Sequence, residues 1–136
     1  MRVIVDTDVW SEALRKNKGK KSAYVDELID LIQEGRVEII GPIRMEILSG
    51  IREDQVFDAF SEKLAAFVDR PIPSEVYVLA AKFFNICRSK GVQASNTDFL
   101  ICACSVYWNI PILSKDKDYL LCKKHLPIEL IEPRNR

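Results

Sequence analysis

Four acidic residues, far apart in the chain, stand where chain geometry can bring their side chains together: Asp6, Glu46, Asp98 and Asp116. Asp6 ends the apolar run Val3-Ile4-Val5, and Asp116 follows a second run from Ile110 to Leu113. A carboxylate at the end of a core strand is pushed to the rim of the sheet, where ligands of open α/β folds collect. Asp98 lies in the first turn of a helical pattern, where the helix dipole favours an anion. Glu46 lies on a helix whose Ile43 and Ile47 have core spacing, which puts it near a seam. Carboxylates gathered at one edge repel one another unless a cation neutralises them, and an all-oxygen set suits magnesium or manganese. Such an ion lowers the pKa of water and stabilises charge on a phosphoryl oxygen, so phosphodiester hydrolysis is the chemistry that fits. No Walker lysine loop and no G-x-G-x-x-G appears.

The elements that must position these acids follow from periodicity. Residues 2–5 read as a buried strand rich in β-branched side chains. Asp6-Thr7-Asp8 supplies caps for a short helix through Trp10 and Leu14. Ser22 opens a helix striped by Val25, Leu28, Ile29, Leu31 and Ile32, which Gly35 ends. A strand over 37–40 precedes Gly41-Pro42 and a helix with Ile43, Ile47, Leu48 and Ile51 on one face. Val56 to Phe67 and Ser74 to near Gly91 give two more helices. Ser95-Asn96-Thr97 caps a helix over 98–108 that is apolar almost all round and therefore central. A strand at 111–113, a helical turn or two at 118–124 and a strand at 128–131 complete the chain. Strands alternating with helices predict an α/β fold, a three-layer α/β/α sandwich with a central, mostly parallel sheet.

The chain has 136 residues and reads as one domain, 1–136. Lysine plus arginine equals aspartate plus glutamate, so no global basic field holds a polyanion. A phosphate backbone must be held locally, and Arg15, Lys16, Lys18, Lys20, Lys21 and Arg44 are the candidates. A solvated loop explains the run from Arg15 to Lys21 equally well. Cys87, Cys102, Cys104 and Cys122 form no CxxC pair and read as reduced core residues. Charges interrupt every apolar stretch, so neither a membrane span nor a signal peptide is expected, and the expected location is the cytoplasm. Trp10 reads as a core or contact residue before a base-stacking one. His125 has no evident partner to orient it as a base.

Four segments carry a family resemblance. Val5-Asp6-Thr7-Asp8 resembles the opening V-D-T-[SND] of PIN domains. Met45-Glu46-Ile47-Leu48-Ser49-Gly50 resembles their A-E-L-x-x-G segment, and the stretch from Asp98 to Cys104 resembles D-x-x-I-A-A-x-A. Leu113-Ser114-Lys115-Asp116-Lys117-Asp118-Tyr119 resembles L-x-T-x-D-x-D-F. Order, gaps and length agree over essentially the whole chain. The resemblance implies a PIN-like metal-dependent ribonuclease, most similar to the VapC-type toxins of toxin–antitoxin pairs. It carries catalytic roles to Asp6, Glu46, Asp98 and Asp116, with Asp6, Asp98 and Asp116 as metal ligands for Mg2+ or Mn2+. Thr7, Asp8, Ser114 and Asp118 take supporting places. RNA as substrate, a cognate antitoxin and a homodimer are the implied partners. Asp8 stands where serine or asparagine is frequent, and Ser114 replaces the common threonine.

Two other classes compete. Asp6-Thr7-Asp8-Val9 also matches the D-x-D-x strand end of haloacid-dehalogenase-type phosphatases, in which the first aspartate is a nucleophile. A non-catalytic domain that binds RNA or protein is the second.

Overall fold

The computed structural model describes residues 1–15 and 19–136. Its centre is β1 (Val3–Val5), all three residues fully buried. The chain runs on through α1 (Thr7–Leu14), α2 (Ala23–Gln33), β2 (Val37–Glu38), α3 (Gly41–Leu48), α4 (Asp54–Leu64), α5 (Ser74–Ser89), α6 (Asn96–Trp108), β3 (Ile112–Leu113) and α7 (Asp118–Lys123). The sheet order is β2-β1-β3, with both pairings parallel. Val3 lies opposite Val37, and Val5 opposite Leu113.

The expected three-layer sandwich is corrected. Among the described residues there are seven helices and one three-stranded sheet, so helices, not a broad central sheet, form most of the molecule. The strand expected at 37–40 keeps two ladder residues, and Ile39 makes only an isolated bridge to Asp69. The strand expected at 128–131 shrinks to a bridge between Ile112 and Leu130. Its bonds are Ile112 N–H to the Glu129 carbonyl (2.9 Å) and Ile131 N–H to the Ile112 carbonyl (3.0 Å). Pro127 and Pro133 bracket that segment and have no N–H to lengthen a ladder. A short apolar run shows that a segment is buried; how many ladder bonds it makes depends on which neighbours arrive beside it.

The core joins β1 to the inner faces of the helices. Helix α6 is buried from Phe99 through Ser105, as its all-round apolar pattern requires, and packs most extensively against α5. It stops at Asn109, whose left-handed backbone (φ 54°, ψ 50°) an asparagine tolerates better than most residues. All four cysteines are buried and unbridged. Trp10 is a core residue: its indole N–H donates to the Val5 carbonyl (3.1 Å) and its ring meets Phe67 edge-on at 5.1 Å. Among the described residues no helix is long and apolar enough to cross a membrane.

One polar clamp sets where α3 lies. Arg44 Nε donates to both carboxylate oxygens of Asp69 (3.0 and 3.2 Å), and Nη1 to the Leu64 carbonyl (2.9 Å). Its Nη2 donates to the Phe67 carbonyl. The guanidinium thus satisfies carbonyls at the end of α4 while fixing the helix that carries Glu46. Removing it strands a carboxylate and two carbonyls. Arg44→Ala is expected to lower stability by about 2–3 kcal/mol in urea unfolding, and Arg44→Lys to recover only part, because an ammonium cannot reproduce the planar fork.

Candidate functional site

Parallel pairing sends the C-terminal ends of β1 and β3 to the same edge. Asp6 continues the ladder there, its N–H donating to the Leu113 carbonyl at 2.9 Å. It also caps α1: Oδ1 accepts from the Thr7 N–H (2.8 Å), which fixes the carboxyl against the helix start. Ser114, the next residue after β3, donates from Oγ to Asp6 Oδ2 (2.8 Å) and accepts from the Asp116 N–H (3.0 Å). Asp116 Oδ1 accepts in turn from the Asp118 N–H (2.9 Å). The turn after β3 is therefore folded around the acid that ends β1.

The other two acids arrive on helices. Ser95 and Asp98 form a reciprocal capping box at the start of α6, with Asp98 Oδ2 accepting from the Ser95 N–H (3.0 Å). Asp98 Oδ1 accepts from the hydroxyl of buried Tyr119 (3.3 Å). Glu46 is exposed on α3, and its Oε1 accepts from Thr7 Oγ1 (2.7 Å). Asp6, Thr7, Asp8, Glu46, Ser49, Asp98 and Asp116 together line one open depression of about 450 Å³. Oxygens of Asp98, Asp116 and Asp118 lie within 4.8 Å of one another. Asp6 stands outside that trio but lines the same depression.

The basic candidates are distributed differently. Arg44 is held in its clamp and does not line the depression. Lys21 Nζ donates to the carbonyls of Glu12 (3.0 Å) and Arg15 (2.7 Å), closing the end of α1. Arg15 and Lys20 are exposed, and Lys16 and Lys18 lie outside the described residues. His125 is exposed. Three residues that sequence reasoning passed over enter here: Ser49 on the wall, Tyr119 behind Asp98, and Lys115, whose backbone N–H donates to Asp8 Oδ2 (3.0 Å).

No family model matches the chain. Over 94 residues, 60% of the chain, it is 33% identical to the phenylalanine–tRNA ligase alpha subunit of Pyrococcus abyssi, of which it spans only 19%. It is similar in structure to a chain of VapBC2 from Rickettsia felis bound to a DNA fragment from their promoter (TM-score 0.76, 16% identity, 99% of this chain and 100% of that one). FitAcB from Neisseria gonorrhoeae is also similar (0.71, 17%, 96% and 97%), as is VapBC-1 from nontypeable Haemophilus influenzae (0.69, 12%, 97% and 98%). At such identities the likeness is one of fold alone. The assignment to PIN domains and VapC-type toxins drawn from the four segments is thereby corrected: with no family match and a likeness limited to fold, four short segments do not carry membership.

The electrostatics of the depression are strained. Burial, and then the neighbouring charge of Asp8, push the Asp6 carboxyl up to about 7, against the hydrogen bonds from Ser114 and Thr7. Burial also raises Asp8, whose Oδ1 is the one buried side-chain oxygen or nitrogen without a hydrogen-bond partner among the described residues. The charge of Asp116 raises Asp118. These are hard oxygen donors with an unmet demand for positive charge. The oxygens of Asp98, Asp116 and Asp118, all within 4.8 Å of one another, are the set that could hold a small divalent ion.

Because the folded pKa of Asp6 lies above its ordinary value of 3.8, the folded state holds the extra proton between those limits. Stability of the metal-free protein is thus expected to fall as pH rises from about 4 to about 7, then level off. Asp6→Asn should flatten that slope and, above pH 7, be more stable than wild type by about 1–4 kcal/mol, measured by urea unfolding in EDTA.

Proposed function

We propose that this chain is a metal-dependent endoribonuclease that hydrolyses RNA phosphodiester bonds, working as the toxin of a toxin–antitoxin pair. One observation carries the chemistry: carboxylates from β1, α3, α6 and the turn after β3 converge on one open depression. Asp98, Asp116 and Asp118 would hold Mg2+ or Mn2+, with Asp6 beside them; when bound, the ion supplies charge neutralisation and Lewis acidity. Glu46, with one oxygen tied to Thr7 and its side chain on the wall of the depression, is placed to accept a proton from an attacking water. Asp6 contributes its negative charge once its proton has left, and Ser114 keeps that carboxyl aimed. The depression is open to solvent, which admits a polymer. Exposed Lys117, next to Asp116, offers a local contact for the phosphate backbone, which a chain of zero net charge needs.

The phosphatase reading has less to stand on. Both Asp6 oxygens already accept hydrogen bonds, from the Thr7 N–H and the Ser114 hydroxyl, which is poor provision for a nucleophile.

The toxin–antitoxin context is supported by the neighbours in fold, which are toxin–antitoxin complexes. A depression rich in carboxylates suits an arginine from such a partner. Self-association has its own support. Pro42, Met45, Tyr77, Ala81 and Phe84 line a groove of about 520 Å³ between α3, α5 and α6, and Met45 is 63% exposed and Tyr77 51%. An apolar face of this kind on a surface marks a contact site.

Purified protein is expected to cut RNA with Mg2+ or Mn2+ and to lose that activity in EDTA. Asp98→Asn and Asp116→Asn should each lower the rate by roughly 100-fold or more. Equal cleavage by wild type and both variants would exclude the mechanism. Tyr77→Lys should shift sedimentation toward the monomer while leaving Mn2+ binding by calorimetry intact.

A further inference from the structure

We infer that Glu12 is a positioning residue for the carboxylate site, holding the turn after β3 against α1 through Lys115. It is a buried acid that the proposed chemistry does not use, 6% exposed on the face of α1 that also carries Val9. Its Oε1 accepts from Lys115 Nζ (2.9 Å) and from Ser22 Oγ (2.7 Å), and its Oε2 from the Ser22 N–H (2.7 Å). Burial works against ionisation, but the bonds from Ser22 and Lys115 outweigh it and hold the carboxyl down at about 2. Glu12 is therefore charged at any working pH and ties three segments together: α1, the start of α2 and the turn after β3.

The consequence for the site runs through one residue. Lys115 presents its ammonium to Glu12 and its backbone N–H to Asp8 Oδ2 (3.0 Å), between Ser114, which holds Asp6, and Asp116. Fixing the Lys115 side chain thus fixes the peptide unit that orients Asp8 and the turn that presents Asp116. It also keeps an ammonium that would otherwise swing toward the acids engaged on a carboxylate of its own, leaving the depression open to a divalent ion. The ammonium remains partly accessible, with 38% of the side chain exposed. The role in metal binding rests on the function proposed above; the role in fixing the turn does not.

Two measurements separate these. Hydrogen exchange of the Lys115 amide in wild type and Glu12→Gln tests the positioning without metal; faster exchange in the variant is expected. Calorimetry with Mn2+ should show affinity about tenfold weaker in Glu12→Gln and in Lys115→Met, the size usual for residues that orient ligands, with the double variant no worse than Glu12→Gln alone. Glu27→Gln is the control, since Glu27 is an equally buried acid that instead holds Arg134 and Arg136. It should cost stability and leave Mn2+ affinity unchanged. Should Glu12→Gln fail to fold, Lys115→Met carries the metal measurement. Unchanged Lys115 exchange, or equal Mn2+ losses in Glu27→Gln, overturns the inference. Loss of protection in a protein whose wild type binds no Mn2+ overturns the metal reading and leaves the positioning role standing.

Discussion

Like charge held at close quarters is the constraint around which this molecule is arranged. Asp6, Asp8, Asp98, Asp116 and Asp118 come from three segments and meet at one sheet edge, where burial removes much of the water that would screen them. Three of them, Asp6, Asp8 and Asp118, respond by taking up protons more readily, and one oxygen of Asp8 lacks any partner among the described residues. A fold tolerates such repulsion only if hydrogen bonds fix the acids and the remainder of the structure contributes enough burial to offset the cost. Functional sites are where that compromise is usually found.

The fixing is done by short-range devices. Asp6 caps α1, Asp98 closes a capping box at α6, and Asp116 accepts from the N–H two residues on. Asp6 and Asp98 accept with both oxygens and Asp116 with one, so each carboxyl is fixed at the depression. The same carboxylates that would bind a cation also start the helices that carry them. Because α6 is buried on all sides and packed against α5, Asp98 has little freedom to retreat.

Longer connections hold these pieces in register. Arg44 pins α3, and with it Glu46, to the segment after α4. Glu38 is buried between Arg2 and Arg70, locking β2 at its outer edge. Glu27 gathers Arg134 and Arg136 and ties the chain's end to α2. Each places a buried acid or a buried carbonyl against a guanidinium, which suits a small sheet that supplies few backbone bonds between distant parts of the chain.

The sequence by itself determined where the acids stand. An apolar run followed by aspartate, a cluster of capping residues before Asp98, and glutamate between two core isoleucines are local patterns, and local patterns are set by backbone geometry and periodicity. Helix α6 was legible for the same reason. The extent of the sheet was not, because the runs at 37–40 and 128–131 are apolar whether or not a neighbouring strand arrives to bond them. Tertiary structure alone decided which partners meet across the chain: Ser114 with Asp6, Lys115 with Glu12, Tyr119 with Asp98, and Arg44 with Asp69 instead of any substrate. It also decided that Asp118, alternating with lysines like any solvated turn, joins Asp98 and Asp116. Such pairings depend on distances between atoms 21 to 108 residues apart, and no periodicity within a segment encodes them.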